Sequence, residues 1–285
     1  MPGDGIHKTV AVVLGICLVS SFLVSTAAVK LHPRQQENRR LDKVESLLRV
    51  SGLYRDGIDV AQVYAERIEP VLIELESGKR VGPEMLPEAL SIDTFDLVGW
   101  AQDPEYGEDV PREKDIAKIR RRPRYMVVYF VRGGNGPEKL ILPVYGRGLW
   151  STLYGFLALD RDFATVTGIT FYEHAETPGL GGEIDNPRWQ EGWRGKRIYD
   201  DRGNLVLRVV KGTVDPDAEA AVHQIDGLAG ATITTRGVDN LVRYWLGPDG
   251  YGVFLENLRK GYANPRTPPR IPEASKGDGR CWSII

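Results

Sequence analysis

Thr9 to Val29, TVAVVLGICLVSSFLVSTAAV, is a run of 21 residues without a charge. As a helix rising about 1.5 Å per residue it is about 31 Å long, close to the thickness of a bilayer's hydrocarbon core. The rest of the chain is polar and mixed. The run therefore predicts either a single-span anchor carrying a soluble domain or a cleaved secretory segment. A cleaved signal has a shorter apolar core, roughly 7–15 residues, and a small-residue cleavage site. Val24-Ser25-Thr26-Ala27-Ala28 offers such a site, whereas the length favours an anchor. Leu41, Val44 and Leu48 recur at helical spacing, which predicts that the helix continues past the span as an amphipathic stalk. Lys8 precedes the span, and Lys30, Arg34, Arg39, Arg40 and Lys43 come after it. Charge counting thus leans towards a cytoplasmic soluble domain, although the rule weakens when the span carries a long domain.

Composition removes several function classes. At 285 residues the chain has room for one or two domains and a sizeable core. Its 37 Lys+Arg against 39 Asp+Glu leave a net charge of −2, unlike the basic excess of a nucleic-acid binder. Cys17 and Cys281, its two cysteines, make neither a CxxC redox pair nor a four-ligand zinc site. No metal ligand set and no acid–base catalyst stand out.

Beyond the stalk, the pattern predicts a short helix around Val60–Ile68 and a loop-rich acidic stretch at Asp93–Asp109. Arg112–Arg124 holds seven Arg/Lys and two acids, which reads as a solvated helix or strand edge, or as a contact for anionic lipid or a partner subunit. Tyr125–Val131 and Lys139–Tyr145 read as a hairpin around the turn Arg132–Gly136; Leu153–Leu159, Val166–Tyr172 and Leu205–Lys211 read as further strands. Val238, Leu241, Val242 and Trp245 lie on one face of a late helix, with Thr234 or Thr235 as its cap and Gly247-Pro248 as its stop. Strands first and a helix late predict an α+β domain with a largely antiparallel, twisted sheet flanked by helices. After Ala263 the composition turns to that of a disordered tail.

The common nucleotide signatures fail. There is no P-loop, and neither Gly146-Arg147-Gly148 nor Gly179-Leu180-Gly181-Gly182 continues to a third glycine at dinucleotide-binding spacing. Two segments remain. In His174–Glu183 (HAETPGLGGE), glycines let a backbone approach a flat ligand and expose N–H donors, or they merely make a surface turn. In Asp226–Thr235 (DGLAGATITT), small residues and a Thr cluster open a helix. That suits either an anion at the positive end of the dipole or plain capping.

These two segments, with ILPVYGRGLWSTLYGFLAL at 141–159, ETPGLGGEIDNPRWQ at 176–190 and HQIDGLAGATITTRGVDNLVRYWLG at 223–247, resemble the NqrC family, the covalent-FMN subunits of the Na(+)-translocating NADH:quinone reductases. The likeness runs from the apolar run to about Gly261. It implies FMN joined through its phosphate to the last Thr of a Ser/Thr-Gly-Ala-Thr motif, here Ala229-Gly230-Ala231-Thr232, hence to Thr232. Ala229 stands where the family usually has a hydroxyl; Thr234 and Thr235 are fallback acceptors. The resemblance further suggests Leu149, Trp150 and Leu180 against the ring, backbone of Thr177, Pro178, Gly179, Leu180 and Gly181 near its polar edge, and Gly230 and Ala231 beside the attachment point.

The organisation expected is an anchor at 1–31, a stalk and loop-rich part at 32–110, an FMN-binding domain at 111–263 and a tail at 264–285. By the resemblance, the chain is a single-pass inner-membrane subunit of a six-subunit electron-transferring sodium pump, with its soluble domain on the periplasmic side. A flavin transferase, the bilayer and the other subunits are its partners. The alternatives are the flavin subunit of an Rnf-type ferredoxin:NAD oxidoreductase and an anchoring subunit without flavin.

Overall fold

A computed structural model of the chain describes residues 3–82, 96–134 and 136–262. The chain divides into two compact units, one up to Glu45 and one from Ser46 onwards. Helix α1, Gly3–Ser51, begins in the first. Its segment His7–His32 is the one helix among the described residues long and apolar enough to cross a membrane. The large apolar side chains from Val10 to Val29 are all exposed along it, which suits a helix whose surroundings are themselves apolar. Of the predicted stalk positions, Leu41 is exposed while Leu48 belongs to the second unit and is buried there with Leu47 and Val50.

The second unit is built on a six-stranded, fully antiparallel sheet. Its strands are β1 (Ile68–Glu74), β2 (Lys79–Arg80), β5 (Tyr125–Gly133), β6 (Gly136–Arg147), β7 (Thr152–Asp160) and β8 (Val166–Glu173), in the spatial order β2-β1-β5-β6-β7-β8. Val127–Phe130, Leu140–Leu142 and Phe156–Leu159 are buried without alternation, so the central strands are covered on both faces. Beyond β8 comes α4, Pro187–Glu191, a short helix started by Asn186, whose side chain accepts from Arg188 N. Helix α5, Thr232–Leu246, lies across β6, where Trp245 Nε1 donates to the Tyr145 carbonyl at 2.7 Å. After it, Tyr251 donates its hydroxyl to the Pro143 carbonyl at 2.7 Å. Helix α6, Gly252–Tyr262, is held to the β1–β2 turn by Asn257, which donates to the carbonyls of Ser77 and Gly78. Helix α2, Val60–Arg67, is the short helix expected, started by Asp59, whose carboxylate accepts from Gln62 N.

Three expectations change. The stretch read as loop-rich contains helix α3, Leu97–Gln102, capped by Asp96 and burying Leu97, Trp100 and Ala101, and strand β3, Gly107–Asp109; residues 93–95 lie outside the described ones. Within the charge run, Arg121–Pro123 forms β4, paired with β3, with Arg122 bonded to Glu108. So the strand-edge reading fits this part. Leu205–Lys211 does not join the main sheet. Only Arg208–Val209, β9, is a strand, and it pairs in parallel with β10, Gln224–Ile225. The preceding amides of Val206 and Leu207 both donate to the Ile198 carbonyl instead. Asn135 of the hairpin turn and the tail predicted at 264–285 fall outside the described residues.

Candidate functional site

The segment Gly227–Ala231 has no side chain large enough to cap the helix after it. Gly230 takes φ +72°, a left-handed conformation that glycine adopts without strain, and turns the chain into α5. Ala231, at the N-cap, makes no side-chain hydrogen bond. Thr235 is the first residue of α5 whose amide reaches a backbone carbonyl, that of Ala231 at 2.9 Å. The amides of Thr232, Ile233 and Thr234 are then the orphan donors of a bare helix start, where the dipole also favours an anion. The hydroxyl-bearing Thr232 is exposed at the first position of this start.

Thr234 and Thr235 are neither caps nor free hydroxyls. α5 opens at Thr232, earlier than the apolar periodicity implied, so both threonines fall inside its first turns and face inwards. Thr234 is 1% exposed and donates its hydroxyl to Glu176 Oε2 at 2.5 Å. Thr235 is buried and its hydroxyl accepts from Leu228 N at 2.9 Å.

Two loops meet this helix start. The β6–β7 turn presents Leu149 and Trp150, which are 40% and 64% exposed. The loop after β8 runs Thr177-Pro178-Gly179-Leu180. It closes on itself through Leu180 N and Gly182 N donating to the Thr177 carbonyl, and Gly179 sits at φ +74°. Leu180 lies over Gly230, whose added Cβ would stand 3.2 Å from Leu180 Cδ2, so glycine leaves the space this side chain uses. Leu180 and Ile233 are both exposed, at 46% and 57%. Large apolar groups are seldom left in water around a bare helix start without an occupant. A flat apolar ring bearing a phosphate suits both halves of this surface: apolar side chains for the ring and orphan amides for the anion. Gly181, by contrast, is buried behind the loop and packs against Thr234 and Glu176.

Glu176 is the residue that sequence reasoning passed over. It is 5% exposed. Its Oε1 accepts from Trp150 N at 2.9 Å and Ser151 N at 3.3 Å, and its Oε2 from Leu149 N at 3.2 Å and the Thr234 hydroxyl. Burial alone would raise its pKa, but these bonds together outweigh burial and hold the carboxyl below its ordinary value. Beside it, His174 is raised by its 2.7 Å hydrogen bond to Asp185, and its Nδ1 accepts from Glu176 N. The helix start is also fastened from behind: Trp189 donates Nε1 to the Asp226 carbonyl, and the Asp226 side chain accepts from Val214 N. A signal for Glu176 was present, since an acid between strand and Gly-rich loop needs donors wherever it is buried.

Residues 148–247 match the FMN-binding domain family. They open at the turn carrying Leu149 and Trp150 and close at the Gly that ends α5. The Na(+)-translocating NADH-quinone reductase subunit NqrC of Pseudomonas aeruginosa is 49% identical over 259 residues, 90% of this chain and 97% of that one. Its Yersinia pestis counterpart is 46% identical, over 90% and 95% of the two chains. Among solved structures, Shewanella oneidensis NqrC is 33% identical with a TM-score of 0.69, covering 79% of this chain and 99% of that one. The corresponding subunit from Parabacteroides distasonis is 27% identical at a TM-score of 0.58, over 78% and 96%. With a bare helix start, an apolar surround and relatives that match nearly end to end, this chain belongs to the NqrC family of Na(+)-translocating NADH-quinone reductase subunits.

Proposed function

We propose that the chain is the flavin-bearing electron-transfer subunit of a Na(+)-translocating NADH:quinone reductase, with FMN held by a phosphoester on Thr232. The observation that carries this is the exposed Thr232 at the first position of an uncapped helix, ringed by Leu149, Trp150, Leu180 and Ile233. Bound there, FMN supplies reversible electron transfer at its ring. The protein binds and orients. The amides of Thr232, Ile233 and Thr234 and the dipole of α5 favour the single negative charge of a phosphodiester. Leu149, Trp150 and Leu180 offer apolar surface to the ring, and exposed backbone from Thr177 to Gly179 offers polar contacts. Gly230 and Ala231 keep the approach to Thr232 clear. A covalent tether holds the ring at high effective concentration, so no redox state has to be bound tightly. Ala229 is exposed and contributes no hydroxyl, so attachment rests on Thr232 alone.

In this reading α1 anchors the chain in the inner membrane, the soluble domain is periplasmic, and a flavin transferase attaches the flavin there. NADH oxidation and quinone reduction belong to the other subunits. The name carried by relatives 49% and 46% identical favours this complex over an Rnf-type one. The test is mass spectrometry of the full chain co-expressed with a flavin transferase. The Thr232 peptide is expected to gain the mass of FMN less one water, and Thr232→Val to abolish in-gel flavin fluorescence. An unmodified wild-type peptide returns the anchoring subunit without flavin to first place.

A further inference from the structure

The site's two halves come from distant parts of the chain. The apolar turn Leu149–Ser151 joins two strands, and the helix start at Thr232 lies some eighty residues later. One carboxylate ties them together. Glu176 receives three successive amides of the turn on its two oxygens and the Thr234 hydroxyl of α5 on one of them. The space for this carboxylate is made by glycine on both sides. A Cβ on Gly148 would come within 2.6 Å of Oε1; one on Gly181 would come within 2.7 Å of Oε2 and 2.6 Å of the Thr234 hydroxyl oxygen. A second strap runs parallel to it, Ala175 N donating to Ser151 Oγ at 2.7 Å.

We propose that Glu176 is the positioning residue of the flavin site, a buried ionic lock that fixes the Leu149–Trp150 wall relative to the Thr232 helix start. A carboxylate is required because all four partners are donors. A glutamine in its place has one accepting oxygen, and its NH2 would face either the Trp150 and Ser151 amides or the Leu149 amide and Thr234 hydroxyl. Two donors then meet a donor in a buried place. The lock also leaves one fixed negative charge beside the site. This inference rests on the proposed flavin on Thr232, yet part of its test is independent of it.

The experiment compares full-length wild type with Glu176→Gln, Thr234→Val and Thr234→Ser. Amide hydrogen exchange on protein made without a flavin transferase reads the lock directly. Leu149, Trp150 and Ser151 are expected to lose about tenfold or more of their protection in Glu176→Gln, as befits lost bonds to a charged group. They should lose less in Thr234→Val and none in Thr234→Ser, which keeps the hydroxyl. On flavinylated protein, Glu176→Gln is expected to lose the visible circular dichroism of the flavin and to raise its fluorescence mobility. Its midpoint potential should shift to more positive values, since one negative charge is gone; Thr234→Val keeps the charge and should not show that shift. Unchanged exchange at Leu149–Ser151 in Glu176→Gln overturns the lock, and so do a wild-type dichroism and potential in a loaded Glu176→Gln. A wild-type chain without flavin on Thr232 refutes the flavin assignment instead, and the exchange data still decide for or against Glu176.

Discussion

The middle of the sheet and the junction at Glu176 are both buried, and they are held by different physics. In β5, β6 and β7 each apolar side chain touches many others, so cohesion is shared and no single contact decides the structure. At the junction four hydrogen bonds converge on one carboxylate. The stabilisation is concentrated, directional and dependent on charge. Damage to the sheet should therefore spread over the whole domain as lost stability, whereas damage to the junction should stay local and appear first in the site.

The largest expected effect comes from the sheet. Phe156 is fully buried in β7, edge-on to Tyr129 and near Tyr172. Phe156→Ala should cost about 3–5 kcal/mol, seen as a lower urea midpoint for the whole soluble domain. A transition that moved in only part of the domain would break the comparison. Next comes Gly181→Ala, whose new methyl lands on the Thr234 and Glu176 oxygens. About 1–3 kcal/mol is expected from this overpacking. Local exchange around Leu149–Ser151 should change more than the global unfolding midpoint does. Thr232→Val, on the exposed side of the same helix turn, should change stability by less than about 0.5 kcal/mol while removing the flavin entirely.

The same division explains what could be read in the chain beforehand. The apolar anchor, the strands Tyr125–Val131 to Val166–Tyr172 and the amphipathic face of α5 are stated by periodicity, because burial by apolar contact needs only the right residue type at the right interval. Strand β1 was missed. Ile68–Glu74 includes Glu69 and Pro70, and its membership of the sheet is settled by pairing with β5, far along the chain. The helix N-terminus as an anion site was legible from DGLAGATITT. The different fates of Thr232, Thr234 and Thr235 were not, since they depend on the residue at which α5 begins and on what faces each hydroxyl. Glu176 was hidden for the same reason: its four donors come from two segments that sequence order keeps apart.

Acid separates the two regions further. Glu176 has its folded pKa depressed, so its contribution is fully present above the ordinary value of 4.5 and disappears as pH falls through the lower folded value. The stability gap between wild type and Glu176→Gln should narrow on acidification. The gap between wild type and Phe156→Ala, which titrates nothing, should hardly respond, and urea titrations across that range measure both.

The smallest effect is expected at His174, on the outer side of the junction. Its Nε2 bonds to Asp185 while its Nδ1 accepts from Glu176 N at 3.2 Å, an arrangement open only to the neutral ring. The hydrogen bond to Asp185 raises the histidine's pKa above 6.5. The ion pair's contribution is thus complete below 6.5 and is lost as pH rises through the folded value. Protonation, however, turns Nδ1 into a donor and forfeits the Glu176 amide, so the two effects oppose one another. With Asp185 half in water, Asp185→Asn should cost under about 1 kcal/mol below 6.5 and nothing well above it. It should also move the His174 imidazole titration, followed by NMR, back towards 6.5. A Glu176→Gln chain in which that titration stays at its wild-type value would mean that the histidine does not sense the carboxylate two residues away, and the ionic junction would then end at Glu176 itself.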